Sequence, residues 1–458
     1  MHERYRSDAD QLYACPGPRV SVLRALVLLL PWVACAPPPG GPIPAGADRS
    51  PRATLPCPPG TMVFIGTVGF PDLQSAIDAS VDGDTLQVCP GHWVQRRMAV
   101  HARGTGFRLV GMTSDPEDTV IDGDRVDRIL GVGYLVGDIH IERIAFINGA
   151  LPAVRYPLPI DDPSVLVLSI AGLPSPNPTS EVVIENCRFE DNHGPEGRVG
   201  GSDGAVGIVG VRAGEIRDSH FVRNHSGSGI AASRRAVVTD STFLAGARSG
   251  AAIGVGNHWE TVDHALELEV SRVRVVDAQA YGEQPSAIHI MANHRGPVSV
   301  LVEDTEVLRN EAIDLWPHVG EAGAVLIEAR QRPLTAVEIR RSTFDGNVGD
   351  AYAHLGLRNE DPEHVLEVTL SDVTLWRGRA TGLRGGYMGE ETIEGGAAIL
   401  MQRGIRGTYG DIRLHLRDVD VGEGPTENHG GLLAGCPRTL TGVVDADFSL
   451  LPGEGRCP

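Results

Sequence analysis

The feature that most narrows the fold of this chain is a recurring run of alternating apolar and polar residues that closes on asparagine. It reads VVIENCRFEDN up to Asn192, EIRDSHFVRN up to Asn224, VLVEDTEVLRN up to Asn310 and VEIRRSTFDGN up to Asn347. Each of these carries a large apolar residue three positions before the asparagine: Phe189, Phe221, Val307 and Phe344. Looser copies surround Asn148, Phe243, Val273, Val373 and Val419, and segments such as GAVGIVGVR, SGIAASR, SAIHIMAN, GAVLIEAR and GAAILMQ lie between them. Alternation with a period of two makes each run a strand with one buried face and one wet face.

Joining such strands as hairpins would call for two-residue Asn-Gly or Asp-Gly loops, which most of the joints lack. Stacking parallel copies of one coil instead places like residues above one another at about 4.8 Å, so that Phe, Val and Ile form continuous internal rows. The expected fold is therefore all-β, a parallel β-helix of about nine coils and on the order of 45 Å long. At the corners, Asn192, Asn224, Asn310 and Asn347 are expected to take the left-handed conformation and to bond through their amides to the next coil.

An open stack exposes strand edges, which need covering. Asp72 can N-cap a short helix, LQSAIDAS, with Leu73, Ala76 and Ile77 on one face, followed by the strand and Pro-Gly turn of GDTLQVCPGHW. This opening, FPDLQSAIDASVDGDTLQVCPGHW, resembles that of the pectate-lyase-like right-handed parallel β-helix repeat proteins. Gly83, Asp84, Thr85, Pro90 and Gly91 match their pattern, and His92 and Trp93 stand where Thr-Tyr is usual. FRLVGMTSDPEDTVIDG, residues 107–123, resembles the next coil of that family. The resemblance spans residues 57–435 and implies a right-handed parallel β-helix with a short N-terminal capping helix. It implies little about activity, because the scaffold hosts lyases, hydrolases, epimerases, adhesins and inert rods alike.

Ahead of this segment, Arg19 and Arg24 precede the ten-residue apolar run Ala25 to Ala34, which ends at Cys35. Ten residues are too few to span a bilayer, which takes about 20, and the pattern reads as an export signal. Val33-Ala34-Cys35 resembles a bacterial lipobox, with Trp32 in place of the usual Leu, so Cys35 is expected to be lipidated; simple secretion is the other reading. Residues 1–19 form a long leader, with Val20 or Val22 as alternative starts. The domain plan is a leader and signal over 1–35, a Pro/Gly-rich linker over 36–56, the β-helix over 57–435 and a C-terminal cap over 436–458. Export permits disulfides, and two local bridges, Cys57 to Cys89 and Cys436 to Cys457, would tie down the ends of the solenoid. Cys187, inside a strand-like run, is expected to be a buried free thiol.

The formal charge is −19, and all 40 basic residues are arginine. Such a surface disfavours nucleic acid and leaves membrane contact to a lipid anchor. The absence of lysine removes Schiff-base and lysine-base chemistry. Asp161-Asp162 resembles one of the acidic motifs of polygalacturonases, whose Arg-Ile-Lys motif has no counterpart here. Asp361-Pro362-Glu363-His364 resembles the Asp-Pro-His motif of alginate epimerases, with Glu363 in place of that histidine. Asn-His occurs at 192, 224, 257, 293 and 428; His193 and His225 follow matched corners and could share an edge that binds a metal or an anion, or simply suit the corner geometry. Asp122, Asp124 and Asp127 would suit Ca²⁺, although they fall short of the calcium-binding nonapeptide repeat and of the EF-hand spacing; no cofactor other than Ca²⁺ is expected. Weak catalytic candidates are Asp161, Asp162 and His193.

These observations lead to an exported, monomeric β-helix, an outer-membrane lipoprotein or an extracellular protein. It would bind a polysaccharide or a surface protein without catalysis; the alternative is a polysaccharide lyase or glycoside hydrolase acting on an acidic polymer. Insertions at 149–180 and 193–204 are the expected frame of the binding face.

Overall fold

The structure, a computed structural model, describes residues 57–442 apart from 95–98, 101–105, 126–128, 151–167, 173–177, 194–204, 226, 247–250, 258–263, 282–284, 294–295, 314–322, 332–334, 350–351, 362, 381–396, 404–411, 421–432 and 435–438. The signal and Cys35, the linker, Asp127, Asp161-Asp162 and the Cys436 to Cys457 bridge lie outside the described residues.

The chain winds as a right-handed parallel β-helix whose coils visit three sheets in turn, with a separate four-stranded parallel sheet of Gln279–Tyr281, Glu311–Ile313, Val348–Gly349 and Arg379–Ala380 added after the second sheet in later coils. The first sheet starts with Asp84–Val88, Phe107–Gly111, Ile139–Glu142 and Glu181–Glu185. It continues through the ends of Val206–Arg217 and Ser228–Thr239, then Leu266–Ser271, Val298–Glu303, Thr335–Arg340, Leu366–Trp376, Ile412–Asp420 and Thr439–Gly442. The second sheet is built of short strands such as Ala145–Ile147, Arg188–Glu190, His220–Val222 and Thr242–Leu244. The third contains Leu130–Leu135, Leu168–Gly172, the starts of the two long strands, Ile253–Asn257, Ile288–Asn293, Val325–Gln331, Tyr352–Asn359 and Ala397–Arg403. The first sheet thus holds more strands than the repeat runs suggested, because the opening and closing coils lack the asparagine ending.

Period-two alternation sends every second residue inward. Leu109, Ile141, Ile184, Ile216, Val238, Val270, Val302, Ile339, Leu370 and Leu416 form one buried row in register. The aromatic row on the second sheet is as the repeat implied: Phe146, Phe189, Phe221 and Phe243 stack with ring centroids 5.3, 4.8 and 4.4 Å apart. Val275, Val307, Phe344 and Leu375 extend it.

The corners correct one expectation. The left-handed residue is the one before the asparagine: Asp191, Arg223 and Arg309 have φ of 52°, 50° and 52°, and Gly346 has 65°. The asparagine itself turns inward and is buried. Asn192 Nδ2 donates to Asn224 Oδ1 at 2.9 Å, and Asn310 Nδ2 to Asn347 Oδ1 at 3.1 Å. This position must face the backbone groups of the turn, whereas the left-handed residue before it is a charged one, Asp191, Arg223 or Arg309, or the glycine Gly346. A second left-handed corner, between the first and second sheets, holds Asn186, Asp218, Asp240, Arg272, Asp304 and Arg341. Behind it stands a row of small polar residues, in which Ser219 Oγ donates to Arg217 O and accepts from the amide of Cys187. Cys187 occupies that row one coil earlier, its thiol 3.2 Å from Glu185 O; burial pushes the thiol up to about 12.

The N-terminal end is closed by more than a helix. Leu73–Ala79 forms as expected, with Asp72 Oδ1 accepting from Ser75 N at 2.7 Å and Leu73, Ala76 and Ile77 buried. In addition Val63–Ile65 pairs antiparallel with both Val68–Phe70 and Asp84–Val88, satisfying the edge of the first sheet. Cys57 and Cys89 form the expected disulfide, which holds this cap to the first coil.

Candidate functional site

The three sheets differ in what they show to solvent. The first carries paired charges: Arg108 with Glu142 at 2.6 Å, Arg217 with Glu185 at 2.7 Å, Arg235 with Glu215 at 3.0 Å and Arg413 with Glu367 at 2.8 Å. On the third sheet, register aligns a row that runs Gly131, Ser169, Gly207, Gly229, Gly254, His289, Leu326 and Gly356, of which Gly229, Gly254 and His289 are half-buried and Gly131, Gly207, Leu326 and Gly356 buried. A Cβ placed on Gly229 would meet nothing within 4 Å, and one on Gly254 only backbone atoms at 3.8 and 3.9 Å. Over these coils the sheet presents a bare lane. Most of the insertions flagged in the sequence, 149–180 and 193–204, lies outside the described residues.

The lane ends at a cluster of chemistry-bearing residues. The next outward row aligns Ala231, Gly256, Met291, Glu328 and Arg358 on successive coils. Arg358 Nη1 donates to Glu328 Oε1 at 2.7 Å, and His289 Nε2 lies 3.2 Å from Glu328 Oε2. Side-chain exposure is 4% for Arg358, 2% for Glu328 and 13% for His289, so the imidazole is the member that reaches solvent. A buried charge is tolerated only with a partner, and each of these has one. Tyr352 is fully buried beside the pair, its ring packed on Gly323 and Gly356; a Cβ on either glycine would come within 2.1 or 2.5 Å of ring carbons. Burial, with the nearby charge of Glu328, holds its hydroxyl well above the ordinary tyrosine range.

Reading the sequence missed this group. IHIMAN, VLIEARQ and YAHLGLRN look like ordinary strands, and His289 and Arg358 reach Glu328 from 39 and 30 residues away. The signal that was present is an ionisable residue at the outward positions of strands whose earlier copies carry glycine.

The residues singled out in the sequence fall elsewhere. Asp361 Oδ2 lies 2.8 Å from His364 Nδ1, Asp361 Oδ1 accepts from Glu363 N at 2.9 Å, and Asn359 Nδ2 donates to His364 O at 2.9 Å. The motif is a self-satisfied turn beside the cluster, with Glu360 3.7 Å from Arg358. His193 and His225 do occupy equivalent positions, their amides donating to Gly149 O and Asn192 O at 2.8 and 2.7 Å. Asn257 and Asn293 instead end strands of the third sheet, at a different place in the coil from Asn192 and Asn224, while His258, His294 and Asn428-His429 lie outside the described residues. Asp122 is engaged by protein donors: His92 Nε2 at 2.7 Å, Asp124 N at 2.8 Å and Asn148 Nδ2 at 3.2 Å. Among the described residues, no three His, Cys, Asp or Glu side chains converge as a metal site.

No family model and no curated protein matches this chain. Among solved structures it is similar to the catalytic unit of a GH87 α-1,3-glucanase from Streptomyces thermodiastaticus, with 10% identity and a TM-score of 0.42 over 81% of this chain and 64% of that one. It is also similar to the periplasmic alginate epimerase AlgG, with 13% identity and a TM-score of 0.33 over 79% of this chain and 84% of that one. The present chain thus spans under two thirds of the glucanase unit. The fold assignment rests on the strand register of the chain itself.

Proposed function

We propose that this protein is an exported, lipid-anchored β-helix of the bacterial cell envelope, of the pectate-lyase-like kind, that holds a glycan along the bare lane of its third sheet without turning it over. The observation that carries the reading is the pair of partly exposed glycines Gly229 and Gly254, in register with His289, on a sheet whose neighbour is crowded with ion pairs. A face stripped of side chains lets an extended polymer lie against the backbone. The Cys57 to Cys89 disulfide supports an oxidising compartment. The lyase or hydrolase reading draws less support, because Glu328 and Arg358 are locked to one another.

Two experiments test this reading. Purified protein is titrated calorimetrically with oligosaccharides, and Gly254→Trp, which meets only ordinary contacts at its Cβ, is expected to abolish binding while keeping the fold. Binding unchanged in Gly254→Trp would sink the lane. For the anchor, Cys35→Ala is expected to move the protein from the detergent to the aqueous phase.

A further inference from the structure

We propose that this protein pairs with a second copy of itself through the outer face of its second sheet. The two rods lie side by side and parallel, and a row of corner charges on each copy faces the opposite row on the other. The face is on a different sheet from the glycan lane, so the inference stands apart from that reading; it replaces the monomer expected from the sequence.

Each short strand of the second sheet runs between two left-handed corners, which set two residues five positions apart on either side of it. Over the six coils from Asp218 to Arg377, four carry a charge at both corners: Asp218 and Arg223, Arg272 and Asp277, Asp304 and Arg309, Asp372 and Arg377. In every one the two charges are opposite, and all eight residues are exposed. On the other two coils the second corner is uncharged, at Ala245 and Gly346. Between the rows runs an apolar column in register, in which Leu244 is 36% and Trp376 40% exposed, Val222 and Leu308 are half-buried and Val276 is buried. A strip of apolar side chains rimmed by charge on both sides is the make-up of a contact surface.

The charge order decides the occupant and its direction. A two-fold axis along the rods keeps each coil level with its counterpart and sets the first corner row of one copy against the second row of the other. All four opposite pairs then form across the interface, each twice. Leu244 of one copy lies over Thr242 of the other, and Trp376 over Thr374. Turning one copy end for end over the same six coils would instead set Asp218 against Asp372 and Arg223 against Arg377, like against like. The pairs within a copy interlock with those between copies. Arg272 gives Nε and Nη2 to Asp240 at 2.6 and 2.7 Å, Arg341 gives Nε to Asp304 at 2.9 Å and, on the second row, Arg309 gives Nε to Asp277 at 2.8 Å. Arg272 of one copy thus meets Asp277 of the other, whose Arg309 meets Asp304 of the first. One alternating chain of charge runs from Asp240 to Arg341 and crosses the interface twice. With five N–H donors, each arginine can bridge two carboxylates. Six coils at about 4.8 Å, with a face about 16 Å wide, give a flat footprint on the order of 500 Å² per copy. That is less than the roughly 800 Å² of a stable interface, so the pair is reversible.

Sedimentation equilibrium of the purified full chain, from micromolar to millimolar concentration and at low and high salt, tests this against charge-swapped variants. One variant reverses the first row (Asp240→Arg, Arg272→Asp, Asp304→Arg, Arg341→Asp) and another the second row (Asp277→Arg, Arg309→Asp). Both keep the pairs within a copy and use residue types already present at these left-handed corners. The wild type is expected to form a dimer that weakens as salt rises. Each swap alone is expected to raise the dissociation constant by about tenfold or more, with the melting temperature kept, because like charges then meet across the interface. An equimolar mixture of the two swaps is expected to dimerise again, since reversed row faces reversed row and native row faces native row. A wild type that stays monomeric at millimolar concentration, which would leave the face to some other partner, overturns the inference. So does a swap that dimerises as the wild type does, or a mixture that stays apart. Leu244→Glu decides the matter if a swap fails to fold: it charges the centre of the strip at an exposed side chain, and undiminished dimerisation in that variant overturns the inference, whereas a lost dimer with an unchanged melting temperature upholds it.

Discussion

Asn224 Oδ1 takes two hydrogen bonds from Asn192, one from its side-chain amide at 2.9 Å and one from its backbone N–H at 3.1 Å. Asn347 does the same for Asn310. Between these two pairs the ladder is interrupted, because the equivalent positions are Gly246 and Ala278, and a small void opens there between Phe221, Asn224, Phe243 and Leu244.

Restoring the ladder is expected to stabilise the protein. In Ala278→Asn the new amide would reach Phe243 O as Asn224 Nδ2 reaches Phe189 O, and Asn310 already bonds to the amide of residue 278. The expected gain is about 1 kcal/mol in urea unfolding, and Asn224→Ala should lose about 2 kcal/mol by orphaning the amide of Asn192. Gly246→Asn should gain less, since its Cβ would lie 3.0 Å from Asn224 O.

Cys187→Ser is expected to be near neutral, within about 0.5 kcal/mol, because serine at the equivalent position of the next coil makes the matching bond to a carbonyl two residues back. The native thiol, pushed up to about 12 by burial, should resist alkylation at pH 8 until the protein unfolds. Rapid labelling of the folded protein would contradict this placement.

The phenylalanine stack should be the steepest site of cavity damage. Phe189 touches rings on both sides, at 5.3 and 4.8 Å, and Phe189→Ala is expected to cost about 3–5 kcal/mol in chemical denaturation. Phe243, at the end of the stack and beside the void, should cost less.

Acid should weaken the fold in a defined window. Hydrogen bonds from Arg223 hold Asp191 below the usual carboxylate range, Arg272 does so for Asp240, and Arg340 for Glu303. Their folded values lie below their unfolded ones, so the stability they contribute is present above about pH 4 and is lost as pH falls through the folded values. Melting temperature should therefore decline below about pH 4, and less so in high salt, because several of the arginines are half exposed. A melting temperature flat down to pH 2 would show that these pairs contribute nothing.

Much of the fold was legible because a β-helix writes its own period. The spacing of Phe189 and Phe221 and the inward-facing Ile and Val positions follow from alternation, and the Asp72 cap follows from side-chain chemistry within one turn. The identity of the left-handed residue was not legible. Asn and its predecessor both suit a corner, and only the neighbouring coil's backbone, which the Asn192 and Asn224 amides reach, decides which one turns inward.

The sequence by itself determined the strand period, the stacking of like residues, the capping helix and the pairing of Cys57 with Cys89. These depend on contacts within a coil or between coils of like sequence. Only the tertiary structure decided that His289, Glu328, Arg358 and Tyr352 meet, and that Arg309 pairs with Asp277 across a coil boundary at 2.8 Å. The number of residues per coil varies, so the register of one coil on the next is set by packing of the whole ladder, and no local pattern encodes which outward side chains it will bring together.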